Sequence, residues 1–395
     1  MTMAAAIESR TAEAPARPRA SRIAHVDILT DLGQAEPVWR RLEDPAQFST
    51  PYQRFDLLAN WQMQVGARAS STPLIVVAHD GEGQPLMLLP LALEHKHGVR
   101  VASFMGGRHT TFNMALWDKD FAKEATSADL AALLSGIRER SAADVFSLTQ
   151  QPKRWRDISN PSANLPMQSS VNDCPVLTMV PGAAPTDRIG NSFRRRLKSK
   201  ERKLQSPGYR YHIAGTEPDI ARLLDWFFRV KPLRMAEQSL PNVFAEPGVE
   251  NFIRGACLTP LGGGGRVIDL HALECDEEVI ALFAGVADGD RFSMMFNTYT
   301  MSDRSRCSPG LILMRNIIDH YGERGYRLLD LGIGLDDYKR QFCKSDEPIF
   351  DSFVPLSSRG KLAIVAMSGV NRAKRLVKGN QTLLRLAQRL RRAVR

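Results

Sequence analysis

Several large classes of protein are excluded by what this chain of 395 residues lacks. It contains no run of the roughly 18–20 apolar residues that a membrane-spanning helix requires. Its five cysteines are widely spaced and form no Cys-x-x-Cys pair, a pattern that favours neither a zinc site nor a framework of disulfides. We therefore expect a protein that has no transmembrane helix and binds no metal.

The N-terminus lacks the apolar stretch of a secretory signal. Residues 1–22 are instead rich in Ala, Pro and Arg, a composition typical of a disordered segment. We therefore expect a disordered leader and a cytoplasmic protein.

Acidic residues are missing from residues 359–395, which contain eleven Lys and Arg. Because the whole chain carries a net charge of +10 and this segment carries +11, the rest of the chain is close to neutral at −1. A near-neutral body argues against a nucleic-acid partner. The apolar and basic residues of 360–395 have helical spacing, so this tail is either a peripheral contact with the inner face of the cell membrane or a solvated basic helix.

Length and patterning predict two domains with a related layout. The chain is long for a single hydrophobic core. Each half contains a strand, a tight turn, two further strands, a helix and a last strand, which predicts a mixed α/β fold. We expect a leader (1–22), an N-terminal domain (23–180), a C-terminal domain (181–358) and the basic tail (359–395).

The most informative stretch lies in the second half, between residues 291 and 342. It predicts a strand over Arg291–Thr300, a polar loop, an amphipathic helix over Leu311–Arg324 and a buried strand over Tyr326–Ile333. The loop brings basic side chains, Ser and Gly directly before a helix N-terminus, where free N–H groups and the helix dipole favour a phosphate. Charged residues then follow the last strand, at the end where α/β sheets usually bind ligands.

At these residues the chain resembles the CelD/BcsL-type acetyltransferases, GNAT-superfamily proteins related to the FemABX peptidyl transferases. The family pattern is an aromatic strand, a Ser-Pro-Gly loop, a helix ending in Gly-Tyr, and a strand followed by Gly, a carboxylate and Tyr-Lys. Asp336 stands where the family usually has Glu, and Ile333 where it has Arg. The resemblance extends over most of residues 25–355, and the matching residues are Ser308, Pro309, Gly310, Gly325, Tyr326, Leu329, Asp330, Leu331, Gly334, Tyr338 and Lys339.

The resemblance implies a tandem GNAT-like acyl-CoA N-acyltransferase fold whose first half is degenerate, because that half lacks the Ser-Pro-Gly loop and the Tyr-Lys pair. It implies acetyl-CoA as co-substrate and an amine or hydroxyl acceptor, a small molecule or a saccharide, in polysaccharide (cellulose or exopolysaccharide) or cell-envelope biosynthesis. The residues expected to bind the cofactor are Arg304, Arg306, Ser308, Pro309, Gly310 and Leu311.

Candidate catalytic residues follow from the needs of acyl transfer, which requires a base for the acceptor and an acid for the leaving thiolate. Asp336, Tyr338 and Lys339 lie beyond the strand end, and Asn297 and His271 lie on neighbouring strands. A lone His within a strand is more often a packed residue than a base. The residues expected to contact the acceptor are Arg195 and Lys198 of a basic helix, Arg234 and Tyr299, although the basic helix could equally present a solvated face.

Two other functions remain open at this point. The same fold transfers amino acids from charged tRNA in FemABX-like proteins, and the basic helix over Ser192–Leu204 could contact RNA phosphates. A degenerate acyltransferase could also be a non-catalytic scaffold that its tail attaches to a membrane polysaccharide synthase complex. Binding of acetyl-CoA separates the first function from both alternatives.

Overall fold

The first half of the chain forms a mixed sheet covered by helices. The computed structural model describes residues 20–205, 208–334 and 336–379. Strands β1 to β4 form an antiparallel meander, and β6 runs parallel to β4. The elements are β1 (His25–Leu29), α1 (Leu32–Leu42), α2 (Phe55–Trp61), β2 (Thr72–His79), β3 (Pro85–Lys96), β4 (Val99–Phe104), β5 (Leu116–Trp117), α3 (Lys119–Glu124), α4 (Ser127–Arg140) and β6 (Val145–Pro152).

Local sequence signals explain these elements. The carboxylate of Asp31 accepts a hydrogen bond from the backbone N–H of Gln34 and caps α1, which buries Ala35, Trp39 and Leu42 at helical spacing. Thr126 and Asp129 form a reciprocal capping box at the start of α4. The long β3 strand is buried over most of its length because helices cover it.

The second half repeats this layout. Four strands again form an antiparallel series, and the strand after the next helix runs parallel to the fourth. Two helices, α5 (Pro185–Arg188) and α6 (Asn191–Glu201), come before this sheet. The repeated elements are β11 (Arg210–Ile213), α7 (Glu217–Glu237), α8 (Val249–Leu258), β12 (Asp269–Cys275), β13 (Glu278–Ala287), β14 (Arg291–Tyr299), α9 (Pro309–Glu323) and β15 (Leu328–Asp330).

The two sheets exchange strands. β10 (Cys174–Thr178) pairs with β15 in the second sheet, and β17 (Ile349–Pro355) pairs with β6 in the first. Each sheet therefore includes a strand from the other side of the division at residue 180, and that division remains a prediction. The smaller strands are β7 (Arg154–Trp155) and β8 (Ile158–Ser159), which form a separate ribbon, β9 (Gln168–Ser169) beside β17, and β16 (Ser345–Glu347) beside β10.

The halves also share a core. Trp39 of the first half and Phe227 and Phe252 of the second belong to one continuous cluster of buried apolar residues. Arg54 donates a hydrogen bond to the carbonyl of Ala287 at 2.5 Å, and Trp155 Nε1 donates to Asp288 Oδ2 at 3.0 Å. These contacts fix the second sheet against the first.

The tail begins as predicted with a helix, α10 (Ser358–Gly379). The predicted continuation over 380–395 and most of the predicted leader lie outside the described residues. Within the described part of the chain, no helix combines the length and apolar character needed to cross a bilayer.

Candidate active site

Strands β14 and β15 separate part of the way along the second sheet. They pair only at three positions, Arg291 with Leu328, Phe292 with Leu329 and Ser293 with Asp330. Directly after this pairing, the register between β13 and β14 shifts by one residue at Met295, which is a β-bulge. Because a bulge bends and twists its strand, it turns β14 away from β15, and no strand among the described residues pairs with the edge of β14 on that side.

The N-terminus of α9 lies beside the open end of β14. Ser308 precedes the helix with a left-handed backbone (φ 57°), and Pro309 occupies the first helical turn. The Nζ atom of Lys200, from α6, donates a hydrogen bond to Ser308 Oγ at 2.7 Å. The first-turn N–H of Gly310 has no carbonyl one turn back within the helix, whereas those of Leu311 and Ile312 donate to the carbonyl of Ser308. This end therefore combines the Gly310 donor, the helix dipole and a lysine.

A cavity of about 530 Å³ lies at this place, a size within the range of about 300–1,000 Å³ that ligand sites usually have. It lies between the end of β14, the start of α9, helix α7 and the loop that follows β15. The lining residues are Lys231, Arg234, Met235, Gln238, Leu240, Phe283, Asn297, Thr298, Tyr299, Ser305, Ser308, Gly310, Leu311, Asp336 and Tyr338.

Many of the predicted site residues meet in this cavity. From the predicted cofactor loop come Ser308, Gly310 and Leu311, and from the predicted acceptor side come Arg234 and Tyr299. The cavity also includes three of the five predicted catalytic residues, namely Asn297, Asp336 and Tyr338. Residues far apart in sequence are therefore close together in space.

Tyr338 is half-buried, and its hydroxyl lies within hydrogen-bonding reach of Asn297. Burial raises the pKa of Tyr338 above its ordinary value, and the negative charge of Asp336 raises it further. The phenol is therefore protonated at neutral pH. Asp336 itself is exposed, so the cavity combines a proton donor with a solvated carboxylate.

Two cations of α7 line the opposite wall. The guanidinium of Arg234 lies 3.6 Å from the ring centroid of Tyr299 and donates to the Thr300 carbonyl at 2.7 Å. Lys231 Nζ donates to the carbonyl of Asn297 at 2.8 Å. Burial lowers the pKa of Lys231, while Asp336 acts in the opposite direction. Both side chains hold the end of β14, and Arg234 also pairs with Glu237 at 3.0 Å.

Lys339 and Arg304 are committed to other partners. Lys339 is buried, and its Nζ donates to the carbonyls of Gly332, Ile333 and Gly334 at 3.0, 3.3 and 3.1 Å. An ammonium has three N–H groups, so this side chain fixes the turn after β15 rather than facing the cavity. Arg304 is paired with Glu278 at 2.6 Å and Asp276 at 2.7 Å, two carboxylates that compete with any phosphate for its guanidinium.

His271 does not reach the cavity either. It is fully buried on β12, where Nδ1 lies 2.9 Å from the hydroxyl of Tyr211 and Nε2 lies 3.1 Å from that of Tyr321. Burial lowers the pKa of His271 to about 3, so the ring is neutral at pH 7. Its polar atoms are satisfied inside an aromatic cluster, which fits the alternative of a packed strand histidine.

The basic helix contributes a different residue from those predicted. Arg195 and Lys198 are exposed on α6 and do not line the cavity, whereas Lys200 reaches Ser308. Arg306 is exposed and pairs with Asp303 at 3.3 Å, and Pro309 begins α9.

Lys231 lines the cavity but was not predicted, although its position in the sequence could have indicated it. It follows Leu224 and Phe227 at helical spacing, so a cation interrupts the buried face of α7.

A group of potential metal ligands occurs away from the cavity. His212, Asp219 and Glu274 place their ligand atoms within 4.8 Å of one another. However, Arg222 donates to Asp219 at 2.6 Å and to Glu274 at 2.5 Å. With a guanidinium between the carboxylates, this arrangement is an ion-pair network.

Comparison with known proteins agrees with this geometry. Residues 191–340 match the family described as acetyltransferase (GNAT) domain. None of the curated proteins with which the chain was compared matches it by sequence.

Solved structures resemble most of the chain at low identity. The C-terminal domain of a candidate lysylphosphatidylglycerol synthetase from Agrobacterium fabrum matches 85% of this chain and 95% of its own at 11% identity, with a TM-score of 0.50. FemX matches 78% of this chain and 97% of its own at 10% identity, with a TM-score of 0.49. At such identities the likeness concerns the fold alone.

Residues 191–340 in the second half thus resemble a GNAT acetyltransferase domain, and the first half repeats the strand order of the second. The predicted mixed α/β, tandem GNAT-like fold is confirmed.

Proposed function

We propose that this protein transfers an acetyl or another short acyl group from acyl-CoA to an amine or hydroxyl. The observation that carries the proposal is the open edge of β14 beside the N-terminus of α9, with Tyr338 at the same cavity. Acyl-CoA supplies a thioester activated for transfer, a peptide-like arm and phosphates. The chain supplies a strand edge, a helix N-terminus and a proton donor for these three parts.

The fit can be judged at Gly310. A Cβ atom added there would lie 3.8 Å from Tyr299 and 3.9 Å from Phe283, so a methyl group fits in ordinary contact, whereas a longer side chain would fill the passage between these rings and the start of α9. The N-terminus of α9, through the N–H of Gly310 and the helix dipole, binds pyrophosphate, with Lys200 beside it and Arg306 at the surface. The backbone N–H groups on the open edge of β14 donate hydrogen bonds to the carbonyl groups of the arm, as those of a neighbouring strand would.

The reacting end lies near the bulge of β14. A backbone N–H freed by the bulge donates a hydrogen bond to the carbonyl oxygen of the thioester and stabilises the charge that develops there. Asp336 takes the proton from the attacking amine or hydroxyl. Tyr338 gives its proton to the leaving sulfur, because its raised pKa keeps it protonated until that moment. Lys231 and Arg234 hold the β14 carbonyls in place.

Isothermal titration with acetyl-CoA tests the donor site. Gly310→Glu places a carboxylate at the helix N-terminus and fills the passage, so we expect at least about 100-fold weaker binding. Gly310→Ala adds only a methyl group at ordinary contact distance and should stay within about threefold of the unmodified protein, since one small contact changes little.

Failure of acetyl-CoA to bind would overturn the proposal. In that case, binding of charged tRNA that weakens with salt would favour aminoacyl transfer, for which the exposed cations of α6 are the supporting feature. Binding of neither ligand would favour a non-catalytic scaffold.

The acceptor is proposed from the CelD/BcsL-type motif alone. We infer a saccharide acceptor in the cytoplasm, in polysaccharide or cell-envelope synthesis. An assay that follows thiol release from acetyl-CoA would compare an amino sugar with its hydroxyl counterpart. A higher rate with the amino sugar indicates N-transfer, and a higher rate with the hydroxyl sugar indicates O-transfer. No release above the background hydrolysis with either sugar would contradict a saccharide acceptor.

A further inference from the structure

Helix α10 is fixed to the first sheet through polar contacts. At its start, a Cβ added to Gly360 would come within 1.8 Å of the carbonyl oxygen of Asp144, so the helix can approach this closely only with glycine. Further along, Asn371 Nδ2 donates to Asp351 Oδ2 at 2.7 Å, and the guanidinium of Arg375 donates to the carbonyl of Ser170. These contacts at both ends define which face of the helix points outward.

The outward face is apolar. Leu362, Val365, Val370 and Leu376 are exposed by 78%, 74%, 52% and 69%. With about 100° between successive residues of a helix, these four fall on one stripe, together with Ala366 and Ala373. An amphipathic helix normally buries such a stripe against its own protein, so the usual arrangement is reversed here.

Positive charge flanks the stripe on both sides. Lys361 and Arg372 lie along one side and Lys374 along the other, and Arg359 precedes the stripe at the start of the helix. Residues 358–379 contain no Asp or Glu. A second copy of this face would therefore be repelled by like charge. Residues 380–395, which carry five Arg and no acid, are not complementary to it either.

We propose that the outward face of α10 docks the protein on an anionic lipid bilayer. The helix lies in the plane of the membrane surface, its apolar stripe enters the boundary between headgroups and acyl chains, and the flanking cations contact anionic headgroups. This surface is separate from the cavity beside β14, and it positions the enzyme without taking part in acyl transfer.

Co-sedimentation of the full chain with vesicles tests the docking. Vesicles of phosphatidylcholine alone are compared with vesicles that also contain phosphatidylglycerol, at low and at high salt. We expect binding to the mixed vesicles that weakens as salt rises. The double variant Leu362→Ser with Leu376→Ser should bind at least about tenfold more weakly, because it removes two large side chains from the apolar stripe.

A matched double variant controls for the loss of exposed apolar surface. Met63 and Val180 are 64% and 67% exposed elsewhere on the protein, so Met63→Ser with Val180→Ser should bind as the unmodified chain does. Lys361→Gln and Lys374→Gln should each weaken binding about fivefold. Circular dichroism would verify that each variant is folded.

Several results would overturn the proposal. These are no binding to the mixed vesicles at low salt, equal loss of binding in the stripe variant and its matched control, or binding that ignores salt. A dimer that the stripe variant abolishes, seen by analytical ultracentrifugation without vesicle binding, would assign the face to a second copy instead. The titration of acetyl-CoA is independent of all these results.

Discussion

The two halves of this protein have the same strand arrangement, but the gap between the two central strands is open in the second half and filled in the first. In the second half, β14 and β15 part after three paired positions, and a cavity remains beside the start of α9. In the first half, β4 and β6 part after Val101, Ala102 and Ser103 have paired with their partners. In this half, however, the segment around Asn113 lies in the gap between the two strands.

Asn113 fills the first opening. Its backbone N–H donates to the carbonyl of Gln150 on β6 at 3.0 Å, and its side chain donates to the carbonyl of Thr149 at 3.2 Å. The neighbouring residues Phe112 and Met114 are fully buried. The segment thus occupies the gap beside β6, and the same layout yields a cavity in one half and packed core in the other.

The largest expected effect is on catalysis and concerns the second half, where the gap is open. Tyr338→Phe removes the proton donor while keeping the ring, so we expect kcat to fall by about 10²–10⁴-fold with little change in KM for acyl-CoA. Steady-state kinetics measure both. Tyr326→Phe, a tyrosine outside the cavity lining, should stay within about twofold of the unmodified enzyme, since it removes no proposed catalytic group. A Tyr338→Phe enzyme of normal kcat would remove the phenol from the mechanism.

The second-largest expected effect concerns the buried contact of Arg291 between the two halves. Arg291 is buried between Asp330 and Glu347 at 2.8 and 2.5 Å, and its guanidinium lies 4.3 Å from the Phe112 ring of the first half. Burial opposes its charge, yet the two carboxylates raise its pKa above the ordinary value. Arg291→Met leaves a buried carboxylate unpaired, so unfolding in urea should show a loss of about 3–5 kcal/mol.

The exposed pair of Arg327 with Asp290, at 2.5 Å, is the control for Arg291. Arg327→Met should cost no more than about 1 kcal/mol, because solvent already screens that pair. Equal losses of unfolding free energy in the two variants would mean that burial does not determine how strongly Arg291 stabilises the contact between the halves.

A third effect concerns pH. The pKa of His271 is about 3 in the folded protein but near its ordinary value of about 6.5 in the unfolded chain. Between pH 3 and 6.5 the unfolded chain binds one more proton at His271 than the folded chain does. The contribution of this group to the free energy of unfolding is therefore fully present above pH 6.5 and falls as the pH decreases towards 3. The slope for this group is about 1.4 kcal/mol per pH unit, or about 2 kcal/mol between pH 6.5 and 5.

Urea unfolding at both pH values measures this loss. His271→Gln should remove that part of the pH dependence, whereas the exposed His25→Gln should leave it unchanged. If His271→Gln instead kept the full slope and lost kcat, the original assignment of His271 as a base would return.

The smallest expected effect is on stability and concerns the first half, where Asn113 fills the gap. Asn113→Ala removes the side-chain hydrogen bond to Thr149 and one with Thr110 at 2.8 Å, so we expect a loss of about 1–2 kcal/mol in stability. Titration should still find one acetyl-CoA per chain with unchanged affinity. A second binding event would show that the first opening is closed only by this side chain.

The sequence predicted much of the second half because the local signals there agree. The strand, loop, helix and strand between residues 291 and 333 were found as β14, α9 and β15, and eight of the predicted site residues line the cavity. Two of the remaining predicted residues failed to reach it because they contact distant partners. Arg304 pairs with Glu278, and His271 contacts Tyr211, and no local pattern encodes these contacts.

What the sequence alone determined is therefore the periodic content: the order of strands and helices, the helix N-terminus after Ser308 and the basic character of α10. These depend on neighbours within a few residues. The tertiary structure decided which opening stays free, which cations lie near the cavity, and which face of α10 points outward. Such features depend on contacts between residues far apart in the chain, where Asn113 meets Gln150, Lys200 meets Ser308 and Asn371 meets Asp351.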